Sequence, residues 1–251
     1  MKKVLLLLTI GFIGTILVTS CKKKGCTDAT ATNYNEKAKK DNGSCLYKPF
    51  INVIGASDST ISVGTSFTDP GATATNKDGS SANVTSIGQV NSSTVGDYEI
   101  TYSSTNENGT STAKRTVHVV VGLDNWIANW VVSSDCGAAF PLNSAPTISL
   151  GTNSNTLVID GMFSISIPSI PIILPNGLTI ASGGTANATV NGATIIVPNQ
   201  SYDAAGVGTI TYSGTGTMNA SGTEFTITYT YNNDIPAIGG AGQCTATYTK
   251  Q

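Results

Sequence analysis

Phe225-Thr226-Ile227-Thr228-Tyr229-Thr230-Tyr231 alternates apolar or aromatic side chains with threonine along one short run. Successive residues of a β-strand point to opposite faces, so this pattern turns one row toward a core and the other toward water. Similar runs surround it between residues 122 and 251, at 130–132, 147–150, 156–159, 163–167, 170–174, 186–190, 193–197, 208–212, 224–231 and 244–248. Apolar residues at helical spacing are missing throughout. Eight to ten short strands without an amphipathic helix predict an antiparallel β-barrel or sandwich.

Residues 49–121 carry a second set of strand-like runs, at 51–54, 60–63, 98–102 and 116–121. Turn clusters separate them: Asp69-Pro70-Gly71, Lys77-Asp78-Gly79 and Asn106-Glu107-Asn108-Gly109. Strands at this spacing over so short a segment predict a small β-sandwich. The chain is therefore expected to be all-β, a sandwich followed by an antiparallel barrel or sandwich.

The N-terminus has a different character. Lys2 and Lys3 precede an apolar run from Val4 to Val18, too short for an ordinary membrane span and suited to an export signal. It ends in Val18-Thr19-Ser20-Cys21, which resembles the lipobox of bacterial lipoproteins. That resemblance implies a signal peptide over residues 1–20, a lipid on Cys21 and attachment to a membrane. With Cys21 set aside, Cys26, Cys45, Cys136 and Cys244 form an even set for an oxidising compartment. Three pairings are open. Cys26 with Cys45 and Cys136 with Cys244 is favoured, because each pair then stays within one compositional segment.

Composition excludes several functions. Charged residues make up 11% of the chain and the net charge is −2, so there is no basic field to hold nucleic acid. Charge is uneven along the chain. Residues 21–48 carry seven lysines against Asp28, Glu36 and Asp41, while 122–251 carry Lys250 against six acids. The basic stretch suits either anionic lipid headgroups or a solvated stalk. His118, the only histidine, sits in a strand pattern with no metal-ligand spacing around it. No HExxH, P-loop, GxSxG or CxxC motif is present. Asp160, Asp203, Glu224 and Asp234 are the carboxylates a glycosidase would need in pairs, and turn or rim positions account for all four. No enzyme activity, cofactor or metal centre is expected.

Three further resemblances set the domain plan. The segment Gly25-Cys26-Thr27-Asp28, Asn33-Tyr34-Asn35 and Asp41-Asn42-Gly43-Ser44-Cys45 resembles a cysteine-bounded motif of secreted and surface proteins of the Bacteroidetes. A small disulfide knot over 21–48 is implied. Its Asp and Asn oxygens are calcium-type donors, yet carboxylates are few and the EF-hand spacing is absent. Residues 49–121 resemble bacterial immunoglobulin-like domains of surface proteins, in Pro49-Phe50-Ile51, Asp69-Pro70-Gly71-Ala72 and Gly96-Asp97-Tyr98-Glu99-Ile100-Thr101-Tyr102. Such domains act as spacers or adhesion modules. Residues 122–251 resemble C-terminal lipocalin-like domains of Bacteroidetes lipoproteins, in 190–200 and Tyr212-Ser213-Gly214-Thr215-Gly216, without the full lipocalin signature. The whole then resembles a lipid-anchored outer-membrane protein, on the cell surface or the periplasmic face. Lys22-Lys23-Lys24 after the anchor is compatible with the periplasmic pose, and both faces stay open.

Candidate binding residues follow from apolar and aromatic placement. Trp126 and Trp130, four apart, would share one face of a strand, as a sugar-stacking platform, a cavity floor or core plugs. The run 162–180 is the most apolar after the signal, with Pro168, Pro171 and Pro175 breaking it. Its Phe163, Ile165, Ile170 and Ile172 are expected either in the core or lining a pocket for an apolar small molecule or lipid. The sequence-based expectation is a non-catalytic binding protein for such a ligand, with a glycan-binding accessory protein and a structural or adhesive envelope protein as alternatives.

Overall fold

In the computed structural model residues 22–251 are described; the signal segment 1–20 and Cys21 lie outside the described residues. The described chain forms two compact units. One comprises residues up to Phe50 with Ala74–Asn83 and Ser104–Ser111, the other Ile51–Thr73, Val84–Ser103 and Thr112–Gln251. Residues of the immunoglobulin-like segment 49–121 thus contribute to both units.

In the first unit β1 (Lys24–Gly25) pairs in parallel with β2 (Lys40–Asp41), and Cys26 is bonded to Cys45. Cys26, Ala31, Ala38 and Pro49 are its buried apolar side chains before Phe50, far too little for a core, so the disulfide supplies the constraint. Its polar side chains close turns: Asp28 accepts from the Thr30 N–H, Asp41 from Gly43, Asn42 from Ser44 and Asn33 from Leu46. The oxygens read as calcium-type donors are thus committed to backbone N–H groups.

The immunoglobulin-like segment holds β3 (Phe50–Val53), β4 (Asp58–Ser62), β5 (Ala72–Thr75), β6 (Ser81–Ala82), β7 (Thr85–Ile87), β8 (Gly96–Asn106) and β9 (Gly109–Val120). They form a three-stranded sheet β3-β5-β6 and a four-stranded sheet β4-β9-β8-β7, with β4 parallel to β9. The only arginine, Arg115 on β9, is 1% exposed at the centre. Its guanidinium donates to Asp69 at 3.0 Å, the Tyr102 hydroxyl at 3.0 Å, and the carbonyls of Ile54 and Ala56. Asp69 also accepts from Tyr102 and from the Gly71 N–H at 3.0 Å, with Gly71 at φ +81°. The Asp-Pro-Gly turn and the second tyrosine of the Gly-x-Tyr-x-x-x-Tyr element are therefore two halves of one buried polar network, closed by Arg115. Buried charge is tolerated only when so paired.

After a 3-10 turn at Leu123–Asn125 come β10 (Ala128–Ser134), β11 (Thr147–Leu150), β12 (Thr156–Ile167), β13 (Leu178–Asn191), β14 (Thr194–Asp203), β15 (Thr209–Met218), β16 (Glu224–Asn233) and β17 (Gly240–Lys250). They close into an antiparallel barrel in chain order, with Trp130 opposite Lys250 and Ser134 opposite Ala246 at the seam. Barrel, then, and not open sandwich. The expected strand at 170–174 is instead a turn, because Pro168 ends β12 at Ile167. Expected runs 156–159 and 163–167 merge into β12 across a bulge at Gly161, φ +66°. Cys136, just past β10, is bonded to Cys244 on β17, which staples the two terminal strands of the barrel.

Alternation on β16 comes out as expected: Phe225, Ile227 and Tyr229 are buried inside, Thr226, Thr228 and Thr230 exposed outside. On β15 Gly214 admits the Tyr229 ring, since a Cβ there would lie 2.8 Å from it. At one end of the barrel the loops meet the immunoglobulin-like strands of the same unit. Val95 N–H donates to Ala220 O at 2.9 Å, Asn125 to Val63 O at 2.8 Å, and Ser62 to Asp124 at 2.7 Å. Val63, Val119 and Val121 belong to the same buried cluster as the barrel interior. Loops 135–146, 168–177, 204–208 and 234–239 form the opposite, distal end.

Candidate functional site

The barrel interior is packed with rings. Trp126 and Trp130 are both fully buried, and each packs on Phe225, at 5.1 and 4.7 Å between centroids. Phe225 stacks on Tyr248 at 4.4 Å. Further along, Phe140 from the loop after β10 plugs the barrel, touching Phe163, Tyr212, Tyr229 and Tyr231. Interdigitated rings at these separations are the packing of a solid core.

This overturns the tryptophan pair as an exposed platform. Trp126 precedes β10, and its carbonyl accepts the Trp130 indole N–H at 3.1 Å, so the two are stacked along the barrel and do not share a strand face. Phe163 and Ile165, at 0% and 1% exposure, are core residues of β12 and line no open pocket. Tyr229 and Tyr248 hydrogen-bond each other at 2.7 Å, and burial pushes both phenols far above their ordinary pKa. Tyr212 Oη is the single buried side-chain polar atom without a partner among the described residues.

Ile170 and Ile172 part company. Ile170 and Leu174 exchange two backbone hydrogen bonds at 2.8 Å, clamping a turn over the barrel's distal end, and both pack on the core. The tip between them is Pro171-Ile172-Ile173, with Ile172 99% and Ile173 64% exposed. Ile172 has φ +75°, a strained conformation for a β-branched residue. The same end carries no lysine or arginine in its loops. Its carboxylates Asp135, Asp203 and Asp234 accept backbone N–H groups of Thr245, Gly206 and Thr209.

A groove of about 710 Å³ lies in the first unit and was not legible in the sequence. It runs between Thr30 and Thr32 of the knot, the Tyr47–Phe50 segment, and Thr75 to Lys77. Its walls are held in place. Tyr47 O accepts the side-chain amides of Asn106 and Asn108, at 2.9 and 3.2 Å, and Asn106 also donates to Asn76. Tyr47 Oη donates to Asp28 at 2.7 Å. Hydrogen bonds from the Thr30 hydroxyl, the Thr30 N–H and Tyr47 hold Asp28 down at about 2. Lys77 Nζ sits 4.5 Å over the Tyr47 ring, and Lys48 passes close over Gly109, which has no side chain to obstruct it. Phe50 stands 72% exposed at the rim.

No cluster resembles a catalytic or metal centre among the described residues. Asp135 with Cys136 and Cys244 is the one close set of potential ligands, and the disulfide takes both thiols. Glu224 lies at the end of the barrel opposite Asp203 and Asp234 and so pairs with neither across a bond, and Asp203 and Asp234 each accept a backbone N–H. His118 bridges two carboxylates on the immunoglobulin-like sheet, Asp97 at 2.6 Å and Asp58 at 3.3 Å. The Asp97 hydrogen bond raises its pKa, and the charge of both acids adds to the effect.

Among solved structures, the crystal structure of the lipoprotein BT2262 from Bacteroides thetaiotaomicron is 16% identical, over 80% of this chain and 100% of that one, with a TM-score of 0.29. That likeness is too slight to bear on fold or function. No curated protein matches the chain. Residues 51–119 match the family described as bacterial surface protein, Ig-like domain, so that stretch of the chain is similar to immunoglobulin-like domains of bacterial surface proteins.

Proposed function

We propose that this is a non-catalytic protein of the bacterial cell envelope, lipid-anchored through Cys21, that works by contacts of its outer surfaces and not as a carrier with an interior ligand. The observation that carries this reading is the filling of the barrel by Trp126, Trp130, Phe140, Phe163, Phe225 and the tyrosines. A lipocalin-type carrier needs an open interior, and here side chains occupy it. The surface-type immunoglobulin-like domain supports the envelope setting. Native mass spectrometry of the exported chain carrying Cys21→Ser, which takes no lipid, tests it: the polypeptide mass alone is expected. A retained apolar mass released by denaturation would overturn it. Labelling cells with a clickable fatty acid, with Cys21→Ser as the control, tests the anchor separately.

A second reading keeps apolar recognition but moves it outside the barrel, to Ile172 and Ile173. Their exposure at the tip of a clamped turn favours it. Replacing both with serine should abolish binding of an environment-sensitive apolar dye, while thermal stability is unchanged. Retained dye binding would remove the turn from consideration.

A further inference from the structure

Independently of the barrel, we propose that the groove of the first unit binds an acidic saccharide, with a carboxylated sugar held by Lys48 and Lys77 and a sugar ring laid on Phe50. Three observations converge there.

The first is an aromatic ring left in water. Phe50 opens β3 with 72% of its surface exposed, beside a concave polar wall. The C–H face of a pyranose packs against such a ring, while hydroxyls on the sugar's edge need hydrogen-bonding partners. Thr30, Thr32, Thr75 and Asn76 line the same groove and supply them.

The second is charge. Both charged side chains that line the groove are lysines. The ion pairs of the described residues join Lys114 to Glu99, Arg115 to Asp69 and His118 to two aspartates, which leaves Lys48 and Lys77 without a carboxylate. The nearby Asp28 is hydrogen-bonded by Thr30 and Tyr47; the Lys77 charge reaches it only through space, as the weakest of the influences on that carboxylate. A neutral glycan would leave both ammonium groups unused, whereas a uronic acid pairs with them.

The third is preorganisation. Lys77 is held over the Tyr47 ring, the Lys48 stem lies along Gly109, and the Tyr47 carbonyl is pinned by Asn106 and Asn108. Donors fixed before the ligand arrives lose less freedom on binding.

The test is affinity electrophoresis of the full exported chain carrying Cys21→Ser, in gels containing polygalacturonate, chondroitin sulfate or dextran. Retardation by at least one acidic polymer and none by dextran is expected. Phe50→Ala should weaken it about tenfold, the loss of one stacked ring, and Lys48→Gln with Lys77→Gln should weaken it at least as much. All three side chains lie outside the buried core, and circular dichroism checks that the variants stay folded. Replacing Lys22, Lys23 and Lys24 with glutamine should leave retardation in place. The proposal is overturned if neither acidic polymer retards the chain, if dextran retards it equally, or if the Lys22–Lys24 variant alone loses the effect. Groove-dependent binding to phosphatidylcholine vesicles with phosphatidylglycerol, unaffected by Phe50→Ala, would also overturn it by assigning the lysines to lipid headgroups.

Discussion

Replacing Arg115 with alanine should be among the most damaging single changes to the immunoglobulin-like domain. The side chain is 1% exposed and its donors reach Asp69, Tyr102 and the carbonyls of Ile54 and Ala56. Removing one partner of a buried ion pair costs about 3–5 kcal/mol, and each stranded carbonyl adds about 1 kcal/mol unless water reaches it. A loss of about 5–7 kcal/mol is comparable with the whole stability of a small domain. Asp69→Asn should cost less, about 1–3 kcal/mol, because the carbonyls still hold the guanidinium. The assay separates the parts: Trp126 and Trp130, the only tryptophans, report the barrel by fluorescence, while amide exchange on β8 and β9 reports the sandwich. Exchange should accelerate there in Arg115→Ala well before the tryptophan signal changes. The network also fixes an acid limit. Burial pushes the Asp69 carboxyl up, but Tyr102, the Gly71 N–H and Arg115 outweigh it and leave the pKa below the ordinary value. Its contribution is therefore present above about pH 4 and lost as pH falls through the lowered value. An Arg115→Ala variant within 1 kcal/mol of the parent in urea would refute the argument.

Other expectations concern separate elements. The single imidazole of His118 should titrate above 6.5 by NMR, and Asp97→Asn should bring it down; being raised on folding, this group stabilises below its unfolded pKa and that support fades as pH rises through the folded value. Trp130→Ala should cost about 3–5 kcal/mol by urea titration, as a large core ring leaves a cavity against Phe225. Reducing Cys136–Cys244, or replacing both with serine, should cost about 4–5 kcal/mol in the chain-entropy picture, since the bond closes a separation of 108 residues. Ile172→Gly should be neutral or raise the melting temperature, because relief of a positive φ is worth about 1 kcal/mol and the side chain is already in water; a marked loss would show that the isoleucine is structural.

The β class was legible because threonine alternation has one physical meaning, and β16 carries it without interruption. Closure was not legible: barrel and sandwich strands share the same period, and only the pairing of β10 with β17 distinguishes them. The tryptophan spacing misled because same-face placement presumes a strand, whereas the chain at Trp126 is still leaving a 3-10 turn. The apolar run 162–180 held two environments that hydrophobicity alone does not separate. Its first part is the core strand β12. Pro168, Pro171 and Pro175 then deny residues 168–177 a ladder and send Ile172 into water, before Leu178 opens β13. Arg115 carried one available signal, being the single arginine of the chain and lying in a strand, and its partners Asp69 and Tyr102 were both in motifs already noted. The groove had no local signal at all, being assembled from the knot, the Tyr47–Phe50 segment and the Lys77 turn.

The closed seam has a consequence for how the barrel is wired. Gln251 N–H donates to the Asn129 carbonyl at 3.1 Å, so the barrel's first and last strands enter and leave side by side at one end. A domain whose two ends adjoin is a cassette: it fits into a host loop, or accepts a short linker between its ends, without disturbing its pairing. Opened at the Pro171–Ile173 turn instead, the rewired chain would keep every ladder, and the Cys136–Cys244 bond would bridge a much shorter path through the new linker.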